Sequence, residues 1–257
     1  MPLLSIITVV YNNETGIIKT LESVAVQKTK DIEYIVIDGG STDGTCAYLE
    51  ANRAYIDVYV SEKDTGIYQA MNKGWKLASG EYCLFLNSGD YLYGHHILEQ
   101  VSQYIMHNNA DVFYGSIWAF DEKQNWVSEF PDTVSLQYLL TMFLPHPATL
   151  FKRSLLTTLG GYYEHYRIIS DWAFYIRAFL AGARFQKIPL TITAFYMLGS
   201  SASGDTSSDE KHRLFQNELG FLKTDFDNAV RLWHYDSSKL IQAARKLSKL
   251  KSRFFGR

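Results

Sequence analysis

The chain has 257 residues, 47% of them hydrophobic and 15% aromatic, with 25 Lys+Arg against 27 Asp+Glu for a formal net charge of -2. That composition supports a sizeable core and excludes global disorder, and the near-neutral balance excludes a general nucleic-acid binder. Only Cys46 and Cys83 are present, which excludes a disulfide scaffold, and no run reaches the roughly 20 apolar residues of a membrane span.

The opening residues lack a charged n-region and a small-residue cleavage site, so they read as a strand rather than a signal peptide. The expected compartment is the cytoplasm. Residues 3–10 are a β-branched run closed by the turn signal Tyr11-Asn12-Asn13, and helical spacing follows at Ile17, Leu21 and Val24. A second strand is expected over 34–37, closed by Asp38-Gly39-Gly40, then a helix over 45–53 and a third strand over 56–60. Apolar residues at Ile67, Ala70, Met71, Gly74 and Leu77 predict a helix over 67–78, and 82–86 predicts a fourth strand ending in Asn87-Ser88-Gly89-Asp90. Strands alternating with helices imply right-handed crossovers and a mainly parallel sheet, an α/β fold.

The second half changes character. Residues 111–120 and 126–130 predict a hairpin or meander, followed by a loop-rich stretch to His146-Pro147-Ala148. A helix is expected over 169–181 with Ser170 as N-cap, then strand segments over 185–188 and 191–196, a small-residue loop over 199–208, and helical patterns to the end. With no repeat or linker, the expected organisation is one domain of two functional halves, 1–115 and 116–208, with C-terminal helices over 209–257. Seven basic residues and no acid lie in 239–257, leaving 18 basic against 27 acidic in 1–238.

Ligands of open parallel sheets bind outside the carboxyl ends of the strands. Those ends carry Tyr11-Asn12, Asp38-Gly39-Gly40, Glu62-Lys63-Asp64 and Asn87-Ser88-Gly89-Asp90. An Asp after a strand also caps helices, and any one position is open to that simpler reading. Familiar phosphate motifs fail. Ser41 occupies the second glycine that G-x-G-x-x-G requires, and no Lys follows Gly44 as a P-loop requires. Zinc signatures and a nucleophile elbow are absent from the sequence as well.

Four segments in order, SIITVVYNN at 5–13, YIVIDGGSTDGT at 34–45, SEKDTGIYQAMNKGWKLASGEYCLFLNSGD at 61–90 and IISDWAFYIRAFLAG at 168–182, resemble the family 2 glycosyltransferases. The resemblance implies a GT-A fold, Rossmann-like with helices flanking the sheet. It implies an inverting transfer of sugar from a nucleoside-diphosphate sugar, most simply a UDP-sugar, to a hydroxyl of a glycan or lipid-linked glycan. By the same resemblance Tyr11, Asn12, Asp38, Asp64, Tyr68, Asn72, Asn87 and Ser88 line the nucleotide, Asp90 binds Mg²⁺ or Mn²⁺, and Asp171 is the base. His146 and Arg167 then stand near acceptor or phosphate, and 199–208 is a lid over the donor.

The residues themselves leave alternatives. Tyr68 and His146 also suit core packing, Asp171 also suits the first turn of a helix, and 199–208 also suits an idle loop. Trp118, Phe120, Trp126 and Phe130 are either an acceptor platform or core. Asn87, where the acidic-rich form of the metal motif has Asp, favours the alternative of a weak or inactive nucleotide-sugar-binding module or a scaffold subunit. Leu240, Ile241, Ala244, Leu247, Leu250 and Phe254 recur at helical spacing opposite basic residues. The tail is then either a packed or homo-oligomer-forming helix, or a peripheral contact with the inner face of the cell membrane.

Overall fold

Burial on both faces of a parallel sheet calls for strands that are apolar nearly throughout. β1 (Leu4–Val10) is buried at every position, and β2 (Ile32–Asp38) at all but Glu33. Between them, α1 (Glu14–Ala25) starts where the Asn13 side chain accepts from the Gly16 N–H, and it buries Ile17, Leu21 and Val24. The chain continues through α2 (Thr45–Ala51), a 3-10 turn at Arg53–Tyr55, β3 (Val58–Ser61), α3 (Ile67–Leu77) and β4 (Tyr82–Phe85). These four strands are parallel and lie in the order β3-β2-β1-β4, as expected of the alternating pattern. The computed structural model describes residues 1–197 and 204–237.

β5 (Tyr91–Leu92), α4 (Ile97–Met106), β6 (Val112–Phe120), β7 (Asn125–Ser128) and α5 (Leu136–Thr141) follow. Then come β8 (Thr149–Lys152), α6 (Arg153–Leu159), α7 (Ser170–Leu180), β9 (Phe185–Tyr196), α8 (Gly204–Asn217) and α9 (Lys223–Ser237). The sheet extends from β4 through β8, β6 and β9 to β5, and β7 forms the expected hairpin with β6. β8 runs antiparallel between β4 and β6, and β6 pairs β9 in parallel. The result is the α/β architecture with a mainly parallel sheet and C-terminal helices.

Four expectations about elements are corrected. The loop-rich stretch contains α5, and β8 and α6 follow directly after it, all with apolar runs too short to show a period. The segments 185–188 and 191–196 are one strand, interrupted in pattern at Pro189, opposite the β6 register shifts between Tyr114 and Ile117. Ser170 is the first residue of α7 rather than its cap; Ile169 takes the cap position, and the Ser170 hydroxyl is buried without a partner. Residues 204–208, expected in a loop, are the start of α8, while 199–203 and the basic tail 239–257 lie outside the described residues.

Two apolar layers cover the sheet. One joins Ile7, Val9, Phe85, Tyr114 and Phe151 to α3, α7, α8 and α9; the other joins Ile6, Val10, Leu84 and Phe113 to α1 and α4. Among the described residues no helix is long and apolar enough to cross a membrane.

Candidate active site

Because β1 to β4 are parallel, their carboxyl ends deliver four loops to one edge. The first two loops are stitched together. Asn12, the one non-glycine residue at positive φ among the described residues (47°), donates its N–H to Ser41 Oγ at 2.8 Å and accepts the Thr42 N–H at 2.7 Å. This leaves Tyr11 64% exposed at the rim.

Asp38 is fully buried beneath this loop. Its oxygens accept from the Gly40 and Ser41 N–H groups, the Ser41 and Ser61 hydroxyls at 2.5 and 2.6 Å, and the Cys46 thiol. Burial alone would raise its pKa, but the bonds from Ser41 and Ser61 hold it below the ordinary carboxylate value. Asp38, expected to line the nucleotide, thus has both oxygens bonded by protein at the β2 end, and these bonds shape the loop.

The free acceptor lies on the next strand end. Asp64 pairs through Oδ1 with Lys73, which also bonds Glu62 at 2.7 Å, while Asp64 Oδ2 is buried without a partner. A Cβ on Gly39 would sit 3.4 Å from Asp64 Oδ2 and 3.4 Å from the Tyr11 ring. The absence of a side chain at Gly39 thus keeps open a cradle between an aromatic ring and an unsatisfied carboxylate oxygen. Such a cradle fits a planar base that offers a ring N–H.

The fourth strand end supplies two more oxygens without strong partners. Asn87 Oδ1 is buried and unpartnered. Asp90 is 7% exposed, and burial pushes its carboxyl up to about 8, opposed by the Tyr196 N–H. The turn between them is pinned. Thr20 Oγ accepts from the Gly89 N–H and donates to the Asp90 carbonyl, and Gly89 holds φ 107°, which only glycine adopts readily. Ser88 faces inward to Asn13, bonded through its carbonyl and hydroxyl. A buried carboxyl and an amide oxygen without a partner among the described residues, carried on one turn, are a donor set that suits a hard divalent ion.

Asp171 enters from α7. Its Oδ1 accepts from the Trp172 N–H at 2.8 Å and lies 3.0 Å from the Tyr68 hydroxyl, which also bonds the Ile168 carbonyl at 2.5 Å. Burial first, and the Asp171 charge second, raise the Tyr68 pKa well above normal, so Tyr68 remains a donor. Among the described residues nothing bonds Asp171 Oδ2. The Tyr68 hydroxyl thus stands beside Asp171.

Two further expected site residues are engaged within the protein. Asn72 donates to the Tyr162 carbonyl and Glu164, and accepts from the Tyr162 N–H and the Trp75 indole, so its hydrogen-bonding capacity is filled by protein. His146 is buried 3.0 Å from the Tyr162 hydroxyl and packs against Phe85, with burial lowering its pKa against the pull of Asp171. It is packed in the core beside Phe85 and Tyr162. Arg167 is exposed on the loop before α7, where it can reach an anion.

Glu210 and Glu218 escaped the sequence reading. Glu210 accepts from the N–H groups of Arg167, Ile168 and Ile169, and Glu218 bonds His165 and Tyr166. The only legible signal was an acid on the inward side of a polar helix. Of the expected aromatic platform, Trp118 and Phe120 stack at 4.9 Å and meet Tyr93, Tyr91 and Tyr196. Trp126 lies exposed, and Phe130 packs against the core.

Residues 5–173 match the sequence profile of the family described as glycosyl transferase family 2. The chain is 33% identical over 199 residues to a PGL/p-HBAD biosynthesis glycosyltransferase of Mycobacterium tuberculosis, covering 76% of this chain and 77% of the relative. A glycosyltransferase of the same species described as uncharacterized is 34% identical, covering 70% of each chain. In three dimensions the chain resembles S. aureus TarS in complex with UDP-GlcNAc, with a TM-score of 0.70, 21% identity and coverage of 93% and 74%. It also resembles a mannosyltransferase of Pyrobaculum calidifontis in complex with GDP-Man and Mn²⁺, with a TM-score of 0.60, 14% identity and coverage of 99% and 81%.

Proposed function

The chain belongs to glycosyl transferase family 2, a nucleotide-sugar-dependent glycosyltransferase family, and from that premise we propose that it transfers one sugar from a UDP-sugar, with inversion, to a hydroxyl of a glycan or lipid-linked glycan. The observation that carries this reading is a set of oxygens with spare accepting capacity beyond the carboxyl ends of the strands. Among the described residues Asp64 Oδ2 and Asn87 Oδ1, after β3 and β4, have no partner, the Asp90 carboxyl is met by the Tyr196 N–H, and Asp171 Oδ2 has no partner.

The uracil ring stacks on Tyr11 and donates its N–H to Asp64 Oδ2, with Lys73 holding the other carboxylate oxygen in place. The UDP-GlcNAc complex of TarS supports the choice of base, and the PGL/p-HBAD relative supports a lipid-linked or cell-envelope acceptor. Asn87 and Asp90 would hold Mg²⁺ or Mn²⁺, which supplies charge neutralisation of the leaving diphosphate. The P. calidifontis complex contains Mn²⁺, and among the described residues no group of three His, Cys, Asp or Glu side chains could hold a metal ion. The nucleotide itself then completes the ligand set.

Asp171 Oδ2 takes the acceptor hydroxyl proton as that oxygen attacks the anomeric carbon, and the bond from that carbon to the diphosphate breaks. Tyr68 and the Trp172 N–H stabilise the carboxylate through Oδ1 and keep the reactive oxygen aimed outward. Arg167 is placed to meet the diphosphate or the acceptor.

Titration calorimetry with UDP, with and without Mn²⁺, tests the donor site directly. The expected result is UDP binding that strengthens with the metal, followed by metal-dependent hydrolysis or transfer of a UDP-sugar. Failure of UDP to bind at millimolar concentration in either condition would remove the proposed donor.

A further inference from the structure

Glu210 is 1% exposed, which is costly for a carboxylate unless its charge is met. Its one ion-pair neighbour among the described residues, Arg213, is 3.7 Å away and more than half exposed. The charge is instead met by backbone. Oε1 accepts from the Arg167 N–H at 2.8 Å, and Oε2 accepts from the Ile168 and Ile169 N–H groups at 3.0 and 3.3 Å. Three successive N–H groups on one carboxylate are charge-assisted bonds, and they point from the start of α7, where negative charge is favoured.

The grip continues just past the end of α8. Glu218, the residue after its last one, lies 3.0 Å from His165 Nε2 and accepts from the Tyr166 hydroxyl at 2.7 Å. The Lys211 ammonium lies 4.9 Å from the centre of the Trp172 ring. From the opposite side Tyr68 bonds the Ile168 carbonyl and approaches Asp171 Oδ1. Residue Ile168 is thus fixed at both ends of its backbone, its N–H by Glu210 and its C=O by Tyr68, three residues before Asp171.

We propose that Glu210 is a positioning residue for sugar transfer. By holding the N–H groups of 167–169 it fixes the turn from which Asp171 Oδ2 and the Arg167 side chain enter the site. The inference rests on Asp171 being the base, and it assigns to α8 a part in the chemistry that neither the strand-end loops nor α7 can supply. Glu210 touches no substrate. It acts through the geometry of the turn.

The test compares Glu210→Gln and Glu210→Ala with wild type for kcat, donor KM, UDP affinity by calorimetry, and amide hydrogen exchange across 165–171. Gln keeps one acceptor oxygen and no charge, so kcat should fall about tenfold, and Ala should lower it about 100-fold, in line with the loss of bonds to a charged group. UDP affinity should stay within about twofold, and exchange at 167–169 should accelerate in the same order. If Glu210→Ala does not fold, Glu210→Gln decides. A kcat within about threefold of wild type in Glu210→Gln overturns the proposal, and so does a fall in kcat matched by an equal loss of UDP affinity. Asp171→Asn, measured alongside, separates the two readings. If that variant keeps its kcat, the base assignment fails; if it loses kcat while Glu210→Gln keeps it, only the role of Glu210 fails.

Discussion

Asp171 has one oxygen committed to Tyr68 and the Trp172 N–H and one without a partner among the described residues, so its two oxygens answer differently to substitution. Asp171→Asn preserves shape and removes the proton acceptor; kcat should fall about 10²–10⁴-fold while UDP affinity by calorimetry is unchanged. Asp64→Ala deletes the orphaned oxygen of the base cradle and the partner of Lys73. UDP affinity should drop by about tenfold or more, the worth of a hydrogen bond to a charged group. Unchanged affinity would place the base elsewhere. Asp90 sets a pH signature in the metal-free protein. Its carboxyl is raised to about 8 in the fold and is ordinary in the unfolded chain, so the unfolded state releases this proton first as pH rises. Its contribution to stability is present below the ordinary carboxylate range, is lost as pH climbs to about 8, and is level above that. With chelator present, the stability of wild type relative to Asp90→Asn, followed by denaturant titration across that range, should fall with pH. A flat difference would mean that Asp90 carries its charge without cost. These three roles were unequally legible. An acid after a strand is visible in sequence, but whether its oxygens face a ligand depends on neighbours such as Ser41, Ser61 and Cys46, which no spacing rule connects to Asp38.

α3 and the loop before α7 are tied through Asn72, and that tie has its own consequence. Asn72→Ala would leave the Tyr162 N–H, the Tyr162 carbonyl and the Trp75 indole without their partner in a buried site. An unsatisfied buried group costs about 1–3 kcal/mol, so the variant should lose roughly 3 kcal/mol or more of stability to urea while UDP affinity in the folded protein stays near wild type. A selective loss of UDP affinity would restore Asn72 to the nucleotide site. At this scale β1 to β4, α1 and α3 were readable, because long apolar runs and a clear 3.6-residue period need no partner to be recognised. β8 was not, since Thr149-Leu150-Phe151-Lys152 becomes a strand only by lying between β4 and β6. Nor was the start of α7. Ser170 has the residue type of a cap, yet Ile169 takes that position, and the turn leading into α7 is held from another helix by Glu210, forty residues further along the chain.

The whole chain is electrically divided, with 27 acidic against 18 basic residues in 1–238 and seven basic residues with no acid in 239–257. The order of motifs made the sheet and the family legible over most of the chain, because four loops at fixed spacing require four parallel strands to bring them together. The tail has no such constraint; what it carries is charge and spacing. Leu240, Ile241, Ala244, Leu247, Leu250 and Phe254 recur at helical intervals, with Lys239, Arg245, Lys246, Lys249 and Arg253 between them. A basic amphipathic segment of this kind suits an anionic bilayer surface, to which each Lys or Arg adds about 1 kcal/mol of attraction. The acidic remainder is repelled by the same surface, which would orient the body through its tail and bring Asp171 toward a lipid-linked acceptor. The full chain should sediment with anionic vesicles at low salt and release at high salt, because surface charges are screened within a Debye length. A chain ending at Ser238 should not sediment, and UDP binding by that shorter chain reports whether its body has folded. Charge-reversing Lys246 and Lys249 to Glu in the full chain should weaken vesicle binding without touching UDP affinity. Equal sedimentation of all three proteins, or of none, would assign the tail to packing or to contact with a second copy instead.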